Sequence, residues 1–189
     1  MEISEWNKRY RLREHAASDF ESQPTPLLIE TAMRLAPGKA LDLACGTGRN
    51  AIWLAENGWD VTAVDGASEA IAALQARAKE CGLKTKAAVA DLDKGEFEIE
   101  PSRWDLIADC YYLQQNLFEP MKRGVKPGGI IISIVHISEA GQPQTPHSLR
   151  PGELEGLFKG WEILHRYEGL PQDAPHRRAV AEIVARRPR

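Results

Sequence analysis

Three acids in this 189-residue chain each close an apolar run, and their spacing could let them share one ligand. The first sits in Leu41-Asp42-Leu43-Ala44-Cys45-Gly46-Thr47-Gly48-Arg49-Asn50, where a strand ends, a small-residue loop follows and a helix opens after Gly48. Gly46 and Gly48 let the backbone pass close to a ligand, which a Cβ would obstruct. The free amides of the new helix favour a negative group such as a carboxylate. Asp42 can accept from an ammonium or from loop amides. With Ala44 and Ala51 where glycines would stand, the loop lacks the third glycine of a dinucleotide fingerprint, and no GK[ST] of a phosphate loop follows. An aspartate there would repel a pyrophosphate. The loop suits a zwitterionic amino-acid moiety; the plain alternative is a tight turn that holds no ligand.

Asp65 closes Val61-Thr62-Ala63-Val64, 23 positions after Asp42. A ribose-binding acid lies about 20 residues on in the dinucleotide case, because strand two lies beside strand one. Asp65 could accept both ribose hydroxyls, or simply start the next helix. Asp91, after Val89-Ala90, could accept an adenine amino hydrogen while the Leu92 amide serves a ring nitrogen; otherwise Asp91 caps a turn. Amino acid, ribose and base would then follow the carboxyl edge of one parallel sheet, where ligands of open α/β sheets lie. Asp109, closing a fourth run, joins this cofactor-binding set.

The possible bases are His136, His147 and His176. His136 follows the most apolar run, Ile130 to Val135, so it is either a base at the site's edge or a histidine bonded to a loop. His176 with Arg177 could bind an anionic acceptor, or form a solvated turn. Trp6 and Tyr10 lie at i, i+4 on a charged first helix. They could cover a cationic ligand by cation–π attraction, or pack that helix on the sheet. Arg49 could pair with a carboxylate at the helix start, or lie exposed.

These residues need a scaffold that alternates strands and helices. Ile3 to Phe20 reads as a partly amphipathic helix, interrupted by Pro24 and Pro26. Thr25 could cap the next helix with Pro26 at its first position. Strands follow at Ala40 to Ala44, Val61 to Val64, Lys86 to Ala90, Asp105 to Asp109 and Ile130 to Val135. The helices between them are Asn50 to Glu56, Ser68 to Cys81 and Tyr111 to Val125, the last closed by a Lys126-Pro127-Gly128-Gly129 turn. Such alternation implies parallel strands joined by crossover helices. Trp161 to Tyr167 and Ala179 to Ala185, separated by a Pro-rich loop, pair as an antiparallel hairpin at one edge.

Bulk properties narrow the partners. A net charge of -3 argues against a basic face that neutralises nucleic-acid phosphates. No apolar run is long enough to span a membrane, and Met1-Glu2-Ile3-Ser4 lacks the start of a signal peptide. Cys45, Cys81 and Cys110 have no CxxC spacing and read as reduced thiols, with Cys110 a buried one. A cytoplasmic protein, monomer or homodimer, with neither nucleic-acid nor membrane partners, is expected.

Asp42-Leu43-Ala44-Cys45-Gly46-Thr47-Gly48 resembles motif I of the class I methyltransferases that use S-adenosylmethionine. Asp65 matches that family's ribose acid, Asp91-Leu92 its adenine contact, Trp104 to Asp109 its fourth strand and Lys126 to Gly129 its turn before strand five. Within the class, Trp6-Asn7-Lys8-Arg9-Tyr10, Cys45 to Ala51 and the pair His176-Arg177 are similar to small TehB-type methyltransferases connected with tellurite resistance. The resemblance implies one domain over residues 1–189: a helical lid over 1–36 and a Rossmann-like, doubly wound, mostly parallel seven-stranded α/β core over 38–189. It implies S-adenosylmethionine as cofactor and a small-molecule acceptor: a thiol, amine, phenol or chalcogen oxyanion such as tellurite. Methyl transfer is an in-line displacement that chiefly needs alignment; His136, His176 and Arg177 are the expected catalytic residues. Two alternatives stay open: a non-catalytic module that binds the same cofactor, and a nicotinamide-dependent oxidoreductase, which would need a third glycine and a substrate domain. The [DNS]PP[YFW] signature of DNA amino-methylating enzymes is absent at Asp109-Cys110-Tyr111-Tyr112.

Overall fold

Short β-branched and aliphatic runs become strands here where neighbouring elements cover them, and Ala40 to Leu43 and Leu106 to Ala108 are buried throughout. The computed structural model describes residues 2–12, 23–138, 145–173 and 176–189. The fold is α/β, with a mostly parallel seven-stranded sheet that ends in antiparallel strands. By contacts the chain divides into two units, Met1–Glu98 and Ile99–Arg189.

The first unit holds α1 (Ile3–Arg11), α2 (Pro26–Ala32), β1 (Lys39–Leu43), α3 (Arg49–Glu56), β2 (Asp60–Asp65), α4 (Ser68–Glu80) and β3 (Lys86–Val89). Its strands run in the order β3-β2-β1, all parallel, with Asp42 beside Ala63 and Asp65 beside Val89. Leu41, Leu43, Val61, Ala63 and Val64 are buried, as are Ile52 and Leu54 of α3 and Ile71, Leu74 and Ala78 of α4. Asn57 ends α3 and Gly58 follows at φ 86°, the left-handed turn that Asn-Gly favours.

Thr25 does precede α2 with Pro26 at the first position, yet its hydroxyl makes no cap bond; its backbone amide instead donates to the Asn50 Oδ1 at 2.9 Å. The described part of the first helix ends at Arg11, because Leu12 is its C-cap; the rest of the expected span falls outside the described residues.

The second unit holds β4 (Trp104–Cys110), a 3₁₀ turn (Gln115–Leu117), α5 (Phe118–Gly124), β5 (Val125–His136), α6 (Glu153–Gly156), β6 (Glu162–Gly169) and β7 (Val180–Arg186). Strand order is β4-β5-β7-β6. β4 and β5 are parallel, while β7 pairs antiparallel with both β5 and β6, so the expected hairpin is present.

The helix expected from Tyr111 begins only at the 3₁₀ turn. Tyr111 sits at φ 67°, outside the helical region, and its amide donates to the Ile134 carbonyl at 2.6 Å, which prolongs the strand pairing. The Lys126-Pro127-Gly128-Gly129 turn is a bulge inside β5: Trp104 faces Val125 while Leu106 already faces Ile130. Gly128 takes φ 80°, and the bulge is pinned by Gly128 N–H to Arg187 O and Arg187 N–H to Gly129 O, both 2.9 Å.

Candidate functional site

β1 delivers Asp42 to its carboxyl end, and the chain then turns sharply. Ala44 has φ 49°, Gly46 φ 54° and Gly48 φ 85°, three left-handed residues within five. For Ala44 that conformation is strained, and such strain persists only where the surroundings impose it, which is typical of ligand loops. Gly48 has a second reason to be glycine: a Cβ there would lie 2.5 Å from the Leu74 side chain of α4. It therefore serves helix packing as well as the turn, whereas the sequence suggested only ligand approach.

Asp42 is buried, and burial raises its pKa to about 7; Arg49 acts in the opposite direction and the Asp65 carboxylate reinforces the rise. The Ala51 amide bonds to it, while its Oδ2 is buried with no partner among the described residues. Leaving a buried carboxylate oxygen unmatched costs free energy that a donor or bound water would recover. The hydroxyl of Thr47 in the same loop is likewise buried without a partner among the described residues. Acceptors left without a partner among the described residues, behind a strained loop, fit a donor such as the ammonium end of an amino-acid ligand.

Asp65 closes β2, half-buried. Its Oδ2 accepts from the Gly46 amide at 2.9 Å and its Oδ1 from the Ala67 amide at 2.8 Å. A carboxylate has about four acceptor positions, so this tie is compatible with further donors such as ribose hydroxyls. Asp91 takes the turn-capping role: Oδ1 accepts from the Asp93 and Lys94 amides at 3.0 and 3.3 Å, and Oδ2 meets the Lys94 ammonium at 2.8 Å. The hydrogen bond from Lys94 holds the Asp91 carboxyl below its ordinary range. Leu92 is buried beside it. Arg49 turns toward the Gln23 carbonyl at 3.2 Å.

α1 buries none of its residues completely. Trp6 and Tyr10 stack at 6.0 Å between ring centres, with the Arg9 guanidinium 5.4 Å over Trp6. The helix is fixed by polar contacts that the sequence did not reveal. The Asn7 Oδ1 accepts from the Glu69 amide at 3.0 Å and so caps the start of α4, and Arg11 pairs with Glu69 at 2.9 Å. Ile3 lies against Gly66, where a Cβ would come within 2.8 Å of its Cδ1.

In the second unit, Asp109 is buried near the end of β4, its Oδ2 3.5 Å from the Ser133 hydroxyl. Cys110 beside it is half-buried, not fully buried as expected. His136 and His176 come together with their ring centres 6.0 Å apart. Burial chiefly, then Arg178, lowers the His136 pKa and so favours the neutral ring, and its Nδ1 is buried without a partner among the described residues. Tyr111 lies flat on His176 at 3.3 Å and 2° between planes. Arg177 is exposed beside it. His147 stands apart, exposed in a turn where its amide donates to Thr145. Among the described residues no acid, histidine or cysteine group is arranged for a metal ion, and no helix is long and apolar enough to cross a membrane.

This architecture is that of the class I methyltransferases. A S-adenosylmethionine-dependent methyltransferase from Methanosarcina mazei superposes on 88% of this chain and 99% of its own, with a TM-score of 0.70 at 19% identity. The chain belongs to the tellurite resistance protein TehB family, whose profile matches residues 14–177. The crystal structure of TehB from Haemophilus influenzae matches with a TM-score of 0.74 at 26% identity, over 85% of this chain and 61% of that one. In sequence, the probable S-adenosyl-L-methionine-dependent methyltransferase TehB of the same organism is 26% identical over 153 residues, 76% of this chain and 52% of the relative. The chain spans about half the length of the curated relatives it matches.

Proposed function

We propose that this chain is a methyltransferase that uses S-adenosylmethionine and acts on a small acceptor. The observation that carries the cofactor reading is the buried Asp42 carboxylate, one oxygen of which has no partner among the described residues, set behind the strained Ala44–Gly48 loop. A bound cofactor supplies a methyl group on a sulfonium, open to in-line attack.

The chain's own residues bind and align. Asp42 and the loop from Ala44 to Gly48 hold the amino-acid end, with Arg49 toward its carboxylate. Asp65 accepts from the ribose hydroxyls. Asp91 and Leu92 border the base, and Asp109 is counted with this group. Trp6 and Tyr10 on α1 form a lid that keeps water out. His136, whose neutral form burial favours, and His176 are the groups able to take a proton from an acceptor. Arg177 supplies positive charge for an anionic acceptor.

The acceptor is a small molecule, a chalcogen oxyanion such as tellurite or a thiol, amine or phenol; Arg177 and Arg178 beside His176 favour an anion. The net charge of -3 argues against nucleic acid. A cytoplasmic monomer or homodimer completes the proposal. Calorimetry with S-adenosylmethionine, S-adenosylhomocysteine and NAD tests the cofactor. Release of S-adenosylhomocysteine over a panel of thiols, amines, phenols, selenite and tellurite tests catalysis. Binding without turnover on any of them would make the chain a cofactor-binding module, and tighter binding of NAD an oxidoreductase.

A further inference from the structure

We propose that Tyr111 is a positioning residue for acceptor chemistry: it is the platform that sets the orientation of the His176 ring. This rests on the preceding reading, in which His176 handles the acceptor.

Three features of Tyr111 point the same way. Its backbone is in the left-handed region at φ 67°, a conformation that costs a bulky residue free energy and persists only where something imposes it. The imposing contact is the 2.6 Å bond from its amide to the Ile134 carbonyl, which anchors the residue to β5. So placed, its ring lies against His176, with ring centres 3.3 Å apart and planes within 2° of parallel. His136 tilts toward both rings, 6.0 Å from each at 46° and 48°.

The geometry matters because the two partners sit on different kinds of backbone, although the His176 amide is tied to the Asp173 carbonyl at 3.0 Å. Tyr111 is held at a strand end, whereas His176 lies in the irregular segment before β7. An imidazole on such a segment samples several rotamers, and ordering it costs conformational entropy. A flat partner removes that freedom, because the stacked face fixes the plane of the ring. Its two nitrogens lie in that plane, so stacking orients them without covering them. A base must stand within hydrogen-bond reach of the proton it takes, and misplacement by a fraction of an ångström lowers the rate. Tyr111 thus acts through His176, not on the acceptor itself.

The test compares Tyr111→Phe, which keeps the stack, with Tyr111→Leu, which removes it, beside His176→Ala. Turnover is read as S-adenosylhomocysteine release with whichever of a thiol, an amine, a phenol, selenite or tellurite gives the fastest rate. Tyr111→Leu should lower kcat about tenfold to hundredfold, with the S-adenosylhomocysteine Kd unchanged, while Tyr111→Phe stays within about threefold of the parent. In proton NMR the His176 ring signals should lie upfield in the parent and in Tyr111→Phe, and move downfield in Tyr111→Leu. Unmoved signals would show that the stack does not form, and moved signals with full turnover would show that it does not serve catalysis; either overturns the proposal. If His176→Ala is also fully active, or no acceptor is turned over, the underlying reading fails and the Tyr111 proposal with it. Loss of cofactor affinity in Tyr111→Leu would make Tyr111 merely structural.

Discussion

The Gly46 amide donates a 2.9 Å hydrogen bond to the Asp65 carboxylate, joining the loop after β1 to the end of β2. One side chain thereby fixes the shape of the loop and presents acceptor capacity where a ribose would lie. The two roles cannot be separated by removing the carboxylate, but they can be separated by what is measured.

Asp65→Ala should weaken S-adenosylhomocysteine binding about tenfold to hundredfold, from about 1.5–3 kcal/mol for a hydrogen bond to a charged group. It should also lower the melting temperature of the ligand-free protein, since the Gly46 and Ala67 amides lose their acceptor. Calorimetry and thermal melts read the two effects independently. A loss of affinity below threefold would mean that another residue holds the ribose.

Asp42 gives stability a defined pH dependence. Its carboxyl titrates near 3.8 when unfolded and near 7 when buried, so between these values the folded state binds more protons. Stability from this group is therefore complete below about pH 4 and falls as pH rises toward 7. Asp42→Asn, which cannot ionise, should melt higher than the parent at pH 8 and lose that advantage near pH 4. On the proposed cofactor reading, the same variant should bind S-adenosylmethionine more weakly at pH 8, because that reading sets the Asp42 charge against the ammonium. A variant that melts lower at pH 8 would place a stabilising, paired carboxylate at this position.

Gly48→Ala should destabilise the fold by about 2–4 kcal/mol, combining left-handed strain with overpacking. The added methyl meets the Leu74 Cδ1 and Cγ at 2.5 Å. Leu74→Ala alone also destabilises, by opening a cavity. In the double variant the two costs should be less than additive, since the truncated side chain makes room for the methyl. A strictly additive cycle from chemical denaturation would assign the whole effect of Gly48→Ala to its backbone.

α1 should open and close with ligand. It buries no residue completely and is held by the Asn7 cap of α4 and the exposed Arg11–Glu69 pair, contacts of modest strength. Hydrogen exchange over Ile3–Arg11 should slow on adding S-adenosylhomocysteine. Asn7→Ala should speed exchange in the free protein, by loss of a cap worth about 0.5–2 kcal/mol. Equal protection with and without ligand would leave Trp6 and Tyr10 as ordinary packing.

The sequence by itself determined the alternation of strands and helices, the loop after Asp42, the placing of Asp65 and Asp91 after strands, and the antiparallel tail. Each of these is a local signal: apolar runs of strand length, helical periodicity, and glycine or proline where the chain must turn. Tertiary structure decided what depends on residues far apart in the chain. That Asp91 serves its own turn was open in the sequence, which allows both a cap and a ligand contact; the nearby Lys94 ammonium settles its present partner. That Gly48 answers to Leu74, that Asn7 caps a helix across a gap of about 60 residues, and that Lys126 to Gly129 form a bulge, needed the packed neighbours. The helix expected from Tyr111 failed for the same reason. A strand partner at Ile134 claims its amide, and only the folded chain brings the His176 ring to rest on it.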